Sequence, residues 1–223
     1  MRFFVGLLMC LSVVSVSAHA GSDGALTVLK NIKINGVGLT STREEVQAAM
    51  DAFGKVSVRC EHTRTPQRID HRKRISPLRE RWTCTDQATQ TPGVWRRLAV
   101  TYAHNRVVSI DYEGSILPEF GGVSAVKFIE GLNDKFSAVS DLGDAYSYQG
   151  FQETPGASSQ YLTQNLSLNM PQTCKIQNDH EVNYKAGATI GYNEIPSQGH
   201  KGIKLKLFND ESNQCFRTLG VAE

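Results

Sequence analysis

Beyond residue 20 the chain has no apolar run long enough to cross a bilayer, so nothing in that part reads as a membrane-spanning helix. Aromatic residues are scarce, at 8%. None stands among the basic residues between positions 59 and 81, so the stacking platform that single-stranded nucleic acid requires is missing, and nucleic acid is not expected as a partner. No Cys-x-x-Cys occurs and the cysteine spacings fit no zinc template, so no metal is expected. There is no H-E-x-x-H helix and no G-x-S-x-G elbow, and Gly121-Gly122 lacks the Lys-Ser or Lys-Thr of a phosphate loop.

The remaining catalytic candidates are thin. His62, His71, His104, His180 and His200 form no close-spaced ligand pair. Asp70-His71 and Asp179-His180 are sequence neighbours, which on a strand point to opposite faces and cannot orient one another as a triad requires. Ser158-Ser159 has no elbow to hold it, and Asp141, Asp144 and Glu153 fall in a Gly-rich, polar stretch that reads as a loop. The expectation is a protein that is not an enzyme and carries no cofactor.

What is present begins with residues 1–20. Met1-Arg2 is a short positive start, Phe3 to Val16 is apolar or small throughout, and Ala18-His19-Ala20 is a small-x-small cleavage site. A signal peptide is expected over 1–20, cleaved near Ala20, with a periplasmic or secreted product. Met9 is too bulky to precede a lipidated Cys10. The four cysteines that follow, Cys60, Cys84, Cys174 and Cys215, then read as two disulfides in an oxidising compartment. Of three connectivities, Cys60 with Cys84 and Cys174 with Cys215 is favoured, because each pair sits on short alternating segments that can be neighbouring strands.

Charge is unevenly spread. Residues 21–117 carry 15 Lys or Arg against 10 Asp or Glu, and residues 118–223 carry 8 against 12. Most of the excess lies between the first two cysteines, in Arg59, Arg64, Arg68, Arg72, Lys73, Arg74, Arg79 and Arg81, offset only by Glu61, Asp70 and Glu80. Such a cluster attracts anionic surfaces, and a solvated hairpin loop kept soluble by its arginines accounts for the same residues. The expected binding residues are Arg64, Arg68, Arg72, Lys73, Arg74 and Arg79, whose partner would be a protein with an acidic surface or, alternatively, anionic lipid.

Leu26, Val28, Ile32 and Ile34 predict a first extended segment before a turn at Asn35-Gly36. Ser41 or Thr42, with Glu44 or Glu45 three residues on, is a capping box. Val46, Ala49, Met50 and Phe53 then form one helical stripe that Gly54 ends. Val56, Val58 and Cys60, Trp82 and Cys84, Leu98 to Tyr102, and Val108 to Tyr112 alternate as strands, with a hairpin turn at His104-Asn105. Ala125, Phe128, Ile129, Leu132 and Phe136 predict a second helix from Ser124 to Ala138. Strands return at Leu162 to Leu168, Ala188 to Tyr192, Ile203 to Leu207 and Cys215 to Leu219. The fold class expected is α+β, with antiparallel sheet covered on one face by two amphipathic helices. Helix followed by strands and a cysteine pair occurs twice, which divides the chain into 1–20, a first lobe at 21–117 bearing the basic loop, and a second lobe at 118–223.

Residues Gly36-Val37-Gly38-Leu39-Thr40-Ser41-Thr42-Arg43-Glu44-Glu45-Val46, ending at Phe53-Gly54, resemble the opening of SmpA/OmlA-like modules. Those modules occur in a lipoprotein of the outer-membrane β-barrel assembly machine and, duplicated, in β-lactamase inhibitor protein. Phe128 to Phe136 is similar to an F-x-x-x-L-x-x-K-[YF]-G helix of exported proteobacterial proteins. The resemblance implies a periplasmic α+β module and a habit of binding proteins. Three functional readings follow: an inhibitor or immunity-type protein for an exported toxin or hydrolase, a cell-envelope accessory that binds outer-membrane machinery or anionic lipid, and a small hydrolase whose residues meet only in space.

Overall fold

In a computed structural model of the chain, the described residues are 22–53, 58–69, 75–76, 78–87, 95–115, 123–139, 142–155, 160–176, 181–198 and 200–215. The leader expected over 1–20 lies outside them, as do Asp70-His71, Ser158-Ser159, Asp179-His180 and the expected strand beyond Cys215.

The first element departs from the sequence expectation. Residues Ser22–Asn31 form a helix, α1, with Asp23 in its first turn and Lys30 in its last, charges that suit the helix dipole. Its buried side is Ala25 and Leu29, continued by Ile32, a spacing of four and three that outweighs the alternation at Leu26 and Val28. Lys33–Ile34 (β1) and Val37–Gly38 (β2) then pair across the expected Asn35-Gly36 turn, where both residues have positive φ, 50° and 82°.

Arg43–Phe53 (α2) begins with the capping box in one of its two registers. The Thr42 N–H donates to Glu45 Oε2 at 3.0 Å, and the Glu45 N–H donates to Thr42 Oγ1 at 3.2 Å. Val46, Met50 and Phe53 are buried as the stripe requires. Ala125–Ser137 (α3) matches its expected bounds, with the Lys127 N–H donating to the Ser124 hydroxyl at 3.4 Å and Ala125, Ile129, Leu132 and Phe136 buried.

The strands are Val58–Thr65 (β3), Arg68–Ile69 (β4), Ile75–Ser76 (β5), Arg79–Gln87 (β6), Trp95–Ala103 (β7), Arg106–Gly114 (β8), Tyr146–Pro155 (β9), Gln160–Lys175 (β10), Glu181–Ile195 (β11) and His200–Asn209 (β12). Glu211–Gln214 (α4) follows. Strand β9 covers the segment read as a polar loop around Glu153. Its tyrosines at 146 and 148 alternate with small and polar residues, a weak signal beside its glycine and glutamines.

Eight strands form one antiparallel sheet in the order β3-β6-β7-β8-β12-β11-β10-β9. Each half of the chain supplies a four-strand meander preceded by a helix, and the last strands of the two meanders, β8 and β12, pair from Ile203 opposite Gly114 to Phe208 opposite Ser109. The halves at 21–117 and 118–223 therefore share one sheet. They also share one hydrophobic cluster, in which the stripes of α1, α2 and α3 join Leu98, Val100, Ile110, Leu168, Ala188, Ile190, Leu205 and Leu207 of the strands. A Leu or Ile side chain buried this fully contributes about 1.5–3 kcal/mol, so the cluster is the main source of stability.

Both disulfides form with the favoured pairing. Cys60 and Cys84 face each other across β3 and β6 with Cα atoms 4.1 Å apart, and Cys174 of β10 joins Cys215 at the end of α4. Cys215 thus caps a short helix instead of lying in a strand. Two disulfides fit an oxidising extracellular or periplasmic setting. Among the described residues no helix is long and apolar enough to cross a membrane.

Candidate binding ribbon and the open side of the sheet

The segment between Cys60 and Cys84 is mostly strand. β3 and β6 pair residue for residue from Val58 opposite Asp86 to Thr65 opposite Arg79, and β4 and β5 continue as a small hairpin, with Arg68 opposite Ser76 and Ile69 opposite Ile75. The described basic residues therefore ride on a disulfide-pinned β ribbon whose backbone is held by ladder hydrogen bonds. Every residue from 59 to 69 is exposed.

Two of the expected binding residues, Arg64 and Arg68, are exposed and have no carboxylate partner among the described residues. Arg79 is engaged: its Nε donates to Asn213 Oδ1 at 3.1 Å, which ties the base of the ribbon to α4. Arg72, Lys73 and Arg74 lie outside the described residues. The neighbouring Arg59 pairs with Glu61 at 2.8 Å, and Arg81 reaches Asp111 at 3.7 Å.

On the core-facing side of the ribbon, His62 stacks on Trp82 with ring centroids 4.4 Å apart. Its Nε2 lies 3.4 Å from Glu80 Oε2, and the same carboxylate oxygen takes the Arg43 guanidinium from the start of α2. Arg43 also lies over the Tyr102 ring, 5.8 Å from its centroid. Burial pushes the Tyr102 hydroxyl up to about 12, against the pull of Arg43 and with help from Glu44 and Glu80. A hollow of about 220 Å³ opens here between Arg43, Glu80, Tyr102 and the turn at His104-Asn105. In the sequence His62 stands out only as a histidine with no close-spaced ligand partner. The clue to its place is the matching alternation of Cys60, His62 and Arg64 with Glu80, Trp82 and Cys84.

A second feature was not anticipated. At the seam of the two meanders, strand residues that alternate with the core positions frame a hollow of about 460 Å³ whose lining includes Asp111, Glu113, Ser167, Thr189, Lys204 and Lys206. Lys204 Nζ stands 2.7 Å from Glu113 Oε1. Each of Lys204 and Lys206 sits directly opposite an acid in register, Glu113 and Asp111 respectively. The signal was present in Ile203-Lys204-Leu205-Lys206-Leu207, but alternation alone does not say which strands become neighbours. Among the described residues no group of three or more His, Cys, Asp or Glu is placed to hold a metal ion.

No protein-family model, curated protein or solved structure matches the chain.

Proposed function

We propose that this chain is an exported, non-catalytic protein-binding protein of the inhibitor or immunity type, released by cleavage near Ala20, which holds an acidic surface of an exported toxin or hydrolase through its basic ribbon. In this reading the three long helices screen one side of the sheet and the working surface lies at the sheet's basic end. The observation that carries it is the contrast between two sets of charges. Around the seam hollow, Glu113 and Asp111 already have basic neighbours in Lys204 and Arg81, whereas Arg64 and Arg68 are exposed, have no carboxylate partner among the described residues, and ride on a disulfide-anchored ribbon. An arginine held in this way presents a planar fork suited to bidentate contact with a carboxylate.

The test is charge reversal. The double variant Arg64→Glu with Arg68→Glu should keep the wild-type melting temperature while weakening one-to-one binding to the cross-linked, purified partner tenfold or more, on the order of 1.4 kcal/mol. Unchanged binding by the folded variant overturns the assignment of the ribbon.

One observation favours the envelope reading in second place. Ile69 is 70% exposed beside Arg68, and an apolar residue next to a cation suits an anionic lipid surface. Wild-type protein would then bind vesicles rich in anionic lipid, and that binding would fade as salt rises past physiological strength.

A further inference from the structure

We propose that the outer edge of β3 is a strand-pairing site that accepts an extended acidic segment of the partner protein as a ninth strand. This rests on the ribbon being the working surface and adds how the partner is held.

The sheet is open and has two edges, β3 and β9. An unpaired edge carries a row of N–H and C=O groups that template another strand, and most proteins blunt such edges with bulges, prolines or short length. β9 is blunted in this way: its register against β10 shifts between Thr163 and Asn165, and it ends at Pro155. β3 runs eight residues to Thr65, directly before Pro66, with no proline inside it and no register shift against β6, and no described strand covers its other side.

The hydrogen-bonding direction along β3 follows from the cysteines. In an antiparallel pair, close Cα atoms mark a position whose two residues do not bond each other and point their backbone groups outward. Cys60 and Cys84 are such a pair, with Cα atoms 4.1 Å apart. Counting by twos, Cys60, His62 and Arg64 direct their N–H and C=O groups away from β6, while Glu61 and Thr63 bond to it. The row the edge offers is therefore centred on His62, whose ring is stacked on Trp82.

Charge selects the occupant. The residues from 59 to 81 include eight Arg or Lys against three Asp or Glu, and Arg64 on the edge strand and Arg68 on the adjoining β4 have no carboxylate partner among the described residues. A second copy of this chain would bring a like-charged ribbon alongside, so an acidic strand is favoured over self-pairing. Backbone pairing would supply the affinity and the arginines the choice of sequence.

The experiment uses the full disulfide-bonded protein and a fluorescent octapeptide of alternating Glu and Thr, with binding read by anisotropy. His62→Pro removes the central outward N–H and leaves the β3–β6 ladder intact, and His62→Ala removes the same ring while keeping that N–H. Saturable binding that is at least tenfold weaker in His62→Pro than in His62→Ala supports the proposal. So does a similar loss when the peptide is N-methylated at alternate residues, an arm that needs no variant to fold. Equal binding by the two variants together with an unaffected N-methylated peptide, equal binding of a Gln and Thr peptide, or no binding at all overturns it. A dimer in sedimentation that His62→Pro dissolves assigns the edge to a second copy and also overturns it. If charge reversal at Arg64 and Arg68 abolishes partner binding while His62→Pro does not, the ribbon stands as the working surface and only the edge pairing falls.

Discussion

Phe208 of β12 stands opposite Gly187 of β11, and a Cβ at Gly187 would lie 2.8 Å from Phe208 Cζ and 2.0 Å from the Leu168 carbonyl oxygen. The glycine lets three strands, β10, β11 and β12, approach and coil beside the seam of the sheet. Gly131, in the middle of α3, has nothing within 4 Å of the corresponding position.

The two glycines therefore predict opposite signs. Gly187→Ala forces backbone to move and should cost about 3 kcal/mol or more. Gly131→Ala gains helix propensity without a clash and should stabilise by roughly 0.5–1 kcal/mol. Urea denaturation of both variants checks this, and equal shifts would refute the packing at β11.

Leu132→Ala should cost about 2–5 kcal/mol, because Leu132 is 4% exposed and its stripe on α3 belongs to the common cluster. A loss below about 1 kcal/mol in the same assay would mean that α3 does not bury this side.

The disulfides should differ in weight. In the chain-entropy model, removing the bridge that spans 24 residues costs about 3.5 kcal/mol, and removing the one that spans 41 costs about 4 kcal/mol. Paired Cys→Ala variants compared by denaturant unfolding give the two values. A negligible loss on removing Cys60 and Cys84 would show that the ribbon does not depend on its anchor.

Alkaline pH should unfold the protein through its tyrosines. Burial raises Tyr102 and Tyr146 from 10.0 to about 12, and Tyr184 and Tyr192 move in the same direction. Below pH 10 these phenols are neutral in both states, so their contribution is fully present. Between pH 10 and 12 the unfolded chain ionises first and stability falls. Phenolate absorbance should titrate late for these groups, and the unfolding midpoint should drop across that window. A midpoint that stays level to pH 12 would contradict the burial of these hydroxyls.

Much of this architecture was legible in the chain. Local rules fix a capping box at the start of α2, in either of two registers, the start of α3 at Ser124 and the turns at Asn35-Gly36 and His104-Asn105, because each depends on residues within a few positions. The β3–β6 cysteine pairing was likewise legible, since both cysteines sit on strands with matching alternation. α1 was misread because Leu26 and Val28 mimic a strand while the residues that bury are Ala25 and Leu29. β9 was missed because an edge strand buries little and needs few apolar residues. The unequal state of the arginines could not be read at all, since Arg79 meets Asn213 across 134 positions.

The sequence by itself determined the helical stripes, the turns and the concentration of positive charge between Cys60 and Cys84, all of which follow from periodicity, backbone preference and composition, whereas among three cysteine pairings it only favoured the one the structure forms. Only the tertiary structure decided that the two meanders join through β8 and β12 into one sheet, that Arg64 and Arg68 find no carboxylate among the described residues while Arg79 is tied down, and that β3 is left at an edge. Those outcomes depend on which strands become neighbours, and strand pairing is set by long-range packing of the shared core, which no local pattern encodes.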